Sequence, residues 1–113
     1  MDKMLIDVGK ELTEKGYIQY DLLVWGRRKT ATFLRHDMFF FGIKDGKFMM
    51  LPFTDFKNIH YEEVKYYEKG SVELKFMDLA AIFSIDFKGG ENARFSLMAG
   101  RQDIKTIISK FNS

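Results

Sequence analysis

The chain has 113 residues, of which 46% are hydrophobic and 30% are charged, a composition that excludes a disordered segment and indicates one folded domain. It contains no cysteine, which excludes disulfide bonds, thiolate nucleophiles and cysteine-ligated metal sites. A formal charge of +2 is too small to indicate nucleic acid as a partner, because nucleic-acid-binding domains carry a strongly basic face.

The N-terminal segment predicts a short amphipathic helix over residues 1–15. Its apolar residues recur at helical spacing at Met4, Leu5, Val8 and Leu12. Gly16 follows where a helix C-terminal glycine usually lies. The segment lacks an apolar stretch of signal-peptide length and has no glycine after Met1 for myristoylation. We therefore expect no transmembrane segment and a cytoplasmic location, with any membrane contact peripheral.

From residue 17 the apolar pattern changes to a period of two, which is typical of strands. Residues 17–25, YIQYDLLVW, alternate regularly, and residues 29–34, KTATFL, alternate less strictly. Between them lie a glycine and the three consecutive cations Arg27, Arg28 and Lys29. The pattern predicts two strands joined by a turn through WGRR.

The next segment, MFFFGIKDGKFMML, predicts a β-hairpin. Asp45-Gly46 between two apolar runs suits a two-residue type I′ turn. Pro52 is expected to end or edge the second strand, because proline cannot donate a hydrogen bond to a neighbouring strand. The following stretch, HYEEVKYYE, is predicted to be extended, with a bulge near Glu62 and Glu63.

Three more strands, SVELKF, AAIFSIDF and ARFSLM, are predicted after residue 70, joined by turns at Asp78 and at GGEN. The total is about eight strands. The C-terminal segment predicts an amphipathic helix, because its apolar residues fall at i, i+3, i+4 and i+7: Ile104, Ile107, Ile108 and Phe111. Its apolar stripe must cover a curved antiparallel sheet or a barrel with one open end.

Several segments resemble the pleckstrin homology superfamily, in particular its GRAM and bacterial pleckstrin-homology-like branches. EKGYIQYD, then Trp25 and the basic cluster, then TFLRHDMFFFGI are similar to the first strands of such domains. MMLPFTDFKNI and GRQDIKTIISKF are similar to the proline-containing stretch and the closing helix. The resemblance covers roughly residues 15–112 and rests on degenerate patterns.

The resemblance implies one α+β domain, mainly β, over residues 1–113. Its parts would be an N-terminal helical extension (1–15), a pleckstrin-homology-like barrel or sandwich of seven to eight antiparallel strands (16–99) and a closing helix (100–112). It also implies a non-catalytic binding or adaptor module that contacts a protein partner or an anionic lipid headgroup.

The residues that would bind the partner lie on the loop 25–29 and the adjacent hairpin: Trp25, Arg27, Arg28, Lys29, Lys44 and Lys47. In a pleckstrin-homology arrangement the last two would lie near the loop and extend its charge. Arginine offers bidentate hydrogen bonds to phosphate and lysine offers a point charge. The alternative interpretation is that Gly26 makes a turn whose cations keep the hairpin soluble, while Trp25 caps the barrel mouth.

No residue pattern indicates catalysis or a cofactor. His36 lies in the turn RHD without a nucleophile motif, and His60 has no second ligand at metal spacing. Glu62 and Glu63 would point to opposite faces of a strand. Two alternatives stay open: the aromatic barrel could carry a small apolar ligand, as lipocalin-like folds do, or an edge strand could mediate homo-oligomerisation.

Overall fold

A computed structural model describes residues 3–113, and this part of the chain forms two α-helices packed on an antiparallel sheet of eight strands. The elements are, in chain order, α1 (Lys3–Glu14), β1 (Val24–Arg28), β2 (Met38–Lys44), β3 (Lys47–Asp55), β4 (Asn58–Ile59), β5 (Lys65–Tyr67), β6 (Val72–Met77), β7 (Ile82–Phe87), β8 (Glu91–Ala99) and α2 (Arg101–Asn112). A one-turn 3-10 helix, Tyr61–Glu63, lies between β4 and β5. The predicted mainly β fold with a helix at each end is confirmed.

Strand β1 lies in the middle of the sheet, whose order is β4-β3-β2-β1-β8-β7-β6, with β5 also paired to β3. The sheet is not closed, because β4 and β6 remain its two ends, so the predicted barrel is an open one. The sheet nevertheless folds over on itself. The ring centroid of Phe48 on β3 lies 5.8 Å from that of Phe83 on β7, at the opposite side of the sheet order.

The inner faces of the two halves form a filled core. Phe41, Phe48, Phe83 and Phe95 are fully buried there, and their rings meet at edge-to-face and stacked angles. Helix α2 closes one end of this core with its buried residues Ile104, Ile107 and Phe111. The apolar stripe predicted from the sequence is therefore the packed face of α2.

A second core lies on the outer face of β2 and β3, under α1 and residues 17–23. Leu12 of α1 and Ile18 are fully covered, and Phe40 of β2 stacks on Phe53 of β3 with ring centroids 4.0 Å apart. Strands β2 and β3 are consequently buried on both faces. This explains why their sequences read as continuous apolar runs and do not alternate.

The predicted hairpins at Asp45-Gly46 and at GGEN are confirmed. Asp45 and Gly46 have φ values of 52° and 76°, as a type I′ turn requires, and Lys44 pairs with Lys47 across the turn. Pro52, however, does not end its strand. It lies inside β3 opposite Phe39, and its carbonyl accepts a hydrogen bond from the His60 amide at 3.0 Å.

The predicted strand over residues 17–25 is wrong for most of its length, since β1 begins only at Val24. Tyr20 and Asp21 have positive φ values of 64° and 54°, which interrupt an extended chain. The segment is instead tied to the β2–β3 turn: the Gln19 side-chain oxygen accepts the Asp45 amide at 2.7 Å.

The predicted turn through WGRR is also wrong, because residues 25–28 belong to β1. Trp25 pairs with Phe40 of β2, and Arg27 pairs with Ser96 of β8. Gly26 serves close packing and not a turn: a Cβ there would lie 3.0 Å from the Ser96 carbonyl oxygen, next to a register shift in the β1–β8 pairing. Residues 29–34, predicted as a strand, lie in the connection between β1 and β2.

The extended stretch predicted over residues 60–68 is divided by the 3-10 helix. The Glu63 amide donates to the His60 carbonyl at 3.0 Å, so the chain turns where a bulge was expected, and only Lys65–Tyr67 pairs as β5. The later strands agree with the prediction: β6 alternates buried and exposed side chains from Val72 onward.

We predict that Gly100→Ala destabilises the protein more than Gly16→Ala does. Both glycines have positive φ, +93° and +83°, so alanine costs about 1 to 2 kcal/mol of backbone strain at either. At Gly100 the new Cβ would also lie 2.9 Å from the Val24 Cβ, whereas nothing lies within 4 Å at Gly16. Overpacking adds about 1 to 3 kcal/mol at Gly100. Urea unfolding of the two variants measures the difference, and equal losses would contradict the predicted clash.

Candidate functional site

The residues of the predicted basic loop lie on β1 and just after it, so they do not form a loop tip. Trp25 is half-buried and packs edge-on against Phe53 and Phe56, with centroid distances of 5.5 and 6.1 Å. Its indole nitrogen is buried and has no hydrogen-bond partner among residues 3–113. Trp25 is thus a packing residue of the second core, on the outer face of the sheet, and does not cap the barrel mouth as the alternative interpretation expected.

The three cations of the cluster differ in their surroundings. Arg28 is largely covered: its guanidinium donates to the Asp37 carboxylate at 2.5 Å and to the Ala31 carbonyl at 3.1 Å. The pKa of Asp37 is lowered by this hydrogen bond and by the charge of Arg28. Arg27 and Lys29 are exposed. Arg28 therefore holds the connection between β1 and β2, and two cations remain available to a partner.

Lys44 and Lys47 do not extend this cluster. Arg27 pairs with Met38 at the start of β2, whereas Lys44 lies at the end of that strand. Six residues of strand separate the two positions by about 20 Å. Lys47 also forms an ion pair with Glu68 at 3.7 Å. The expectation that these lysines lie near the cluster is wrong, because β1 and β2 run antiparallel and put them at opposite ends.

A third exposed cation, Arg94 on β8, lies beside the exposed residues Arg27 and Lys29. The Lys29 amide donates to the Arg94 carbonyl at 2.8 Å, and Arg27 pairs with Ser96, two residues along β8. Side chains two residues apart share one face of a strand, so Arg27 and Arg94 are diagonal neighbours on the outer face. We call Arg27, Lys29 and Arg94 the outer basic patch. Sequence reasoning missed Arg94 because it is more than sixty residues from the cluster.

A cleft of about 550 Å³ opens between the β1–β2 connection, the 3-10 helix and the end of β7. Its apolar wall includes Phe33, Leu34, Phe39, Met50, Tyr67 and Phe87. The Tyr67 and Phe87 rings meet at 5.4 Å and span the gap between the two halves of the sheet. Charged side chains, among them Arg35, Glu62 and Glu63, stand at the rim.

Two histidines and a carboxylate meet beside this cleft, and His36 and Glu63 belong to its lining. The His36 Nε2 donates to both carboxylate oxygens of Glu63, at 2.9 and 3.1 Å, since an ionised carboxylate can only accept. The His36 and His60 rings stack with centroids 4.7 Å apart. The hydrogen bond from His36 is the largest cause and lowers the pKa of Glu63. Burial opposes it as the second-largest cause, and the charges of His36, Arg35 and His60 each lower the pKa further.

The 3-10 helix also gathers potential metal ligands. Ligand atoms of His60, Glu62 and Glu63 all lie within 4.8 Å of one another. The sequence-based expectation that His60 has no second ligand therefore does not hold. It assumed an extended chain with Glu62 and Glu63 on opposite faces, whereas the 3-10 turn brings both carboxylates toward His60.

No known protein family, curated protein or solved structure matches the chain. Neither of the two helices within residues 3–113 has the length and apolar character needed to cross a membrane.

We predict that Glu63 titrates below the usual range of a glutamate and that His36→Ala raises its pKa more than Arg35→Ala does. The hydrogen bond from His36 is the larger cause, and the Arg35 guanidinium lies 3.8 Å away. Because the folded-state pKa is lowered, the pair stabilises the fold above the usual glutamate range, and this contribution is lost as the pH falls through the lowered Glu63 pKa. Carboxyl-detected NMR titration measures the values, and equal effects of the two variants would contradict this order.

Proposed function

We propose that this protein is a non-catalytic binding module of pleckstrin-homology-like type that contacts an anionic partner, a lipid surface or a protein, through the outer basic patch. The antiparallel sheet followed by one packed C-terminal helix supports the resemblance found in the sequence. Such a module would act in the cytoplasm or peripherally at a membrane surface.

The observation that carries the proposal is the lack of acidic partners at the patch. Among residues 3–113, no carboxylate lies within ion-pair distance of Arg27, Lys29 or Arg94. The nearest acid on the same connection, Asp37, is bound by Arg28. Arg27 and Arg94 on adjacent strands and Lys29 just after β1 therefore present three exposed positive charges without an ion-pair partner among the described residues.

Simple electrostatics indicate what affinity to expect from this surface. Each basic residue near an anionic membrane contributes about 1 kcal/mol, so three give weak attachment that salt screens. Exposed Met98, two residues beyond Ser96 on the same face of β8, adds an apolar contact next to the patch. This combination is suited to weak, reversible binding at a membrane surface.

We predict that Arg27→Ala/Lys29→Ala weakens sedimentation with phosphatidylserine-containing vesicles about thirtyfold at low salt, since two contributions of about 1 kcal/mol are lost. Lys44→Ala/Lys47→Ala is the matched control, because it removes the same formal charge about 20 Å away, beyond the Debye length of about 10 Å.

Equal losses in the two double variants would show that only net charge matters, which would contradict a patch. A wild-type protein that stays in the supernatant with anionic vesicles would contradict the lipid form of the proposal and leave a protein as the anionic partner to be sought.

The cleft favours a second candidate function, a carrier of a small apolar ligand. The core between the sheet halves is filled by side chains, and the cleft beside it has the volume and apolar wall that ligand sites show. Phe33 lies at its mouth, 46% exposed, with its ring 6.0 Å from that of Phe87.

We predict for this second function that a fluorescent fatty-acid analogue binds the wild type and that Phe33→Ser lowers its affinity about tenfold, through lost burial of one aromatic side chain. Leu79→Ser is the control, since Leu79 is fully exposed on the turn between β6 and β7 and does not line the cleft. The same affinity in both variants would remove the cleft as the binding site.

Homo-oligomerisation through an edge strand is a third proposal, and β6 is the candidate edge. Its position at the end of the sheet order leaves one side of the strand without a partner strand among residues 3–113, although its outward side chains Glu73 and Lys75 form an ion pair at 3.7 Å and such charges oppose strand pairing. Analytical ultracentrifugation showing monomer across a wide concentration range would rule it out.

A further inference from the structure

The turn at His60–Glu63 brings three side chains that can bind a metal ion close together. In a 3-10 helix the side chains at i and i+3 lie on the same side, because each turn has three residues. His60 is the N-cap residue of this helix, three positions before Glu63, and the hydrogen bond from the Glu63 amide to the His60 carbonyl closes the turn between them. Glu62 precedes Glu63 on the exposed side of the same turn.

The distances between the ligand atoms suit a small divalent cation after a modest side-chain movement. The three atoms lie within 4.8 Å of one another, and two ligands of one tetrahedral Zn²⁺ ion, each about 2.1 Å from the metal, are about 3.4 Å apart. Glu62 is exposed and can close this gap by rotation of its side chain. Arg35, 3.8 Å from Glu63, opposes a cation, but its side chain is 81% exposed and is free to turn toward solvent.

Two neighbours orient these ligands in the way that metal sites require. The Thr54 hydroxyl is hydrogen-bonded to Nε2 of His60 at 2.8 Å, which leaves Nδ1 as the nitrogen available to a metal. His36 contacts both oxygens of the Glu63 carboxylate and so fixes its orientation, and a metal would have to share or replace one of these two contacts. Ligating histidines usually use their second nitrogen in a hydrogen bond, and ligating carboxylates are themselves hydrogen-bonded. These contacts are independent of the distances among the ligands.

We propose that His60, Glu62 and Glu63 form a site for a divalent first-row transition-metal ion, with Thr54 and His36 as positioning residues. An imidazole nitrogen with two carboxylates favours Zn²⁺ or a similar ion over Mg²⁺ and Ca²⁺, which prefer oxygen ligands alone. Glu62 and Glu63 line the cleft, so an ion bound to them would lie beside whatever the cleft binds. The site does not depend on the outer basic patch, and the two proposals can fail separately.

The experiment uses the full chain, treated with a chelator and titrated with ZnCl2 by calorimetry and with CoCl2 by visible absorption. We expect one ion per chain and, for bound Co²⁺, the absorption bands of a low-coordinate site. His60→Ala should abolish binding, and Glu63→Gln should lower the affinity at least about tenfold. His36→Ala should lower it by about 10- to 100-fold, the usual effect of losing a group that orients a ligand.

Glu91→Gln is the matched control, because Glu91 lines the same cleft but is not among the three ligands, and it should bind as the wild type does. Circular dichroism of the metal-free variants separates loss of a ligand from loss of the fold. The proposal is overturned by the absence of saturable binding, by binding that survives His60→Ala and Glu63→Gln, or by equal affinity for MgCl2. A loss with His36→Ala as complete as with His60→Ala would overturn the assigned ligand set.

Discussion

Strand β1 is hydrogen-bonded to both halves of the sheet, and the rest of the structure depends on this double pairing. On one side it joins the β2–β3 hairpin, and on the other it joins β8 and the C-terminal strands. Gly26 favours the close approach of β8 to β1 at this point, since a Cβ there would lie 3.0 Å from the Ser96 carbonyl oxygen. The contact of Phe48 with Phe83 and the seating of α2 on both halves follow from that fold.

The folded sheet also determines which surfaces are available for function. Helix α1 and residues 17–23 cover the outer face of β2 and β3, so this half of the sheet has no free face. The outer face near β1 and β8 carries no such cover over Arg27 and Arg94, which are exposed. The cleft opens at the gap between the two halves, where Tyr67 meets Phe87. The charged patch and the cleft are therefore separate surfaces.

The sequence predicted those parts of the fold that local physical chemistry specifies. The type I′ turn at Asp45-Gly46 and the helical spacing of Ile104, Ile107 and Phe111 depend on residues that are close in the chain. Strand β1 was not predicted because residues distant in the sequence, on β2 and β8, hold it extended. A glycine followed by two arginines is locally typical of a turn, and only the pairing with β8 shows that Gly26 lies inside a strand. Likewise, alternation in residues 17–23 predicted a strand. The segment instead packs against α1, and the positive φ angles of Tyr20 and Asp21 prevent an extended backbone.

The candidate site was harder to predict for the same reason. His36 and Glu63 are 27 residues apart, and Lys29 and Arg94 meet only through the pairing of β1 with β8. The two lysines that the family resemblance added to the basic cluster are placed elsewhere by strand direction. What the sequence did supply correctly was the identity of two exposed cations, Arg27 and Lys29, and the absence of any cysteine ligand.

The burial of β2 and β3 on both faces bears on how the molecule unfolds. The inner and outer cores share these two strands, so loss of packing on one face weakens the strands on which the other core is built. Helix α1 packs on the outer face of the β2–β3 hairpin and α2 closes the core on its inner face, although the two helices lie at opposite ends of the chain. We therefore expect α1 to unfold together with the rest of the domain, since its undocking would expose the outer side of the hairpin that supports the opposite core.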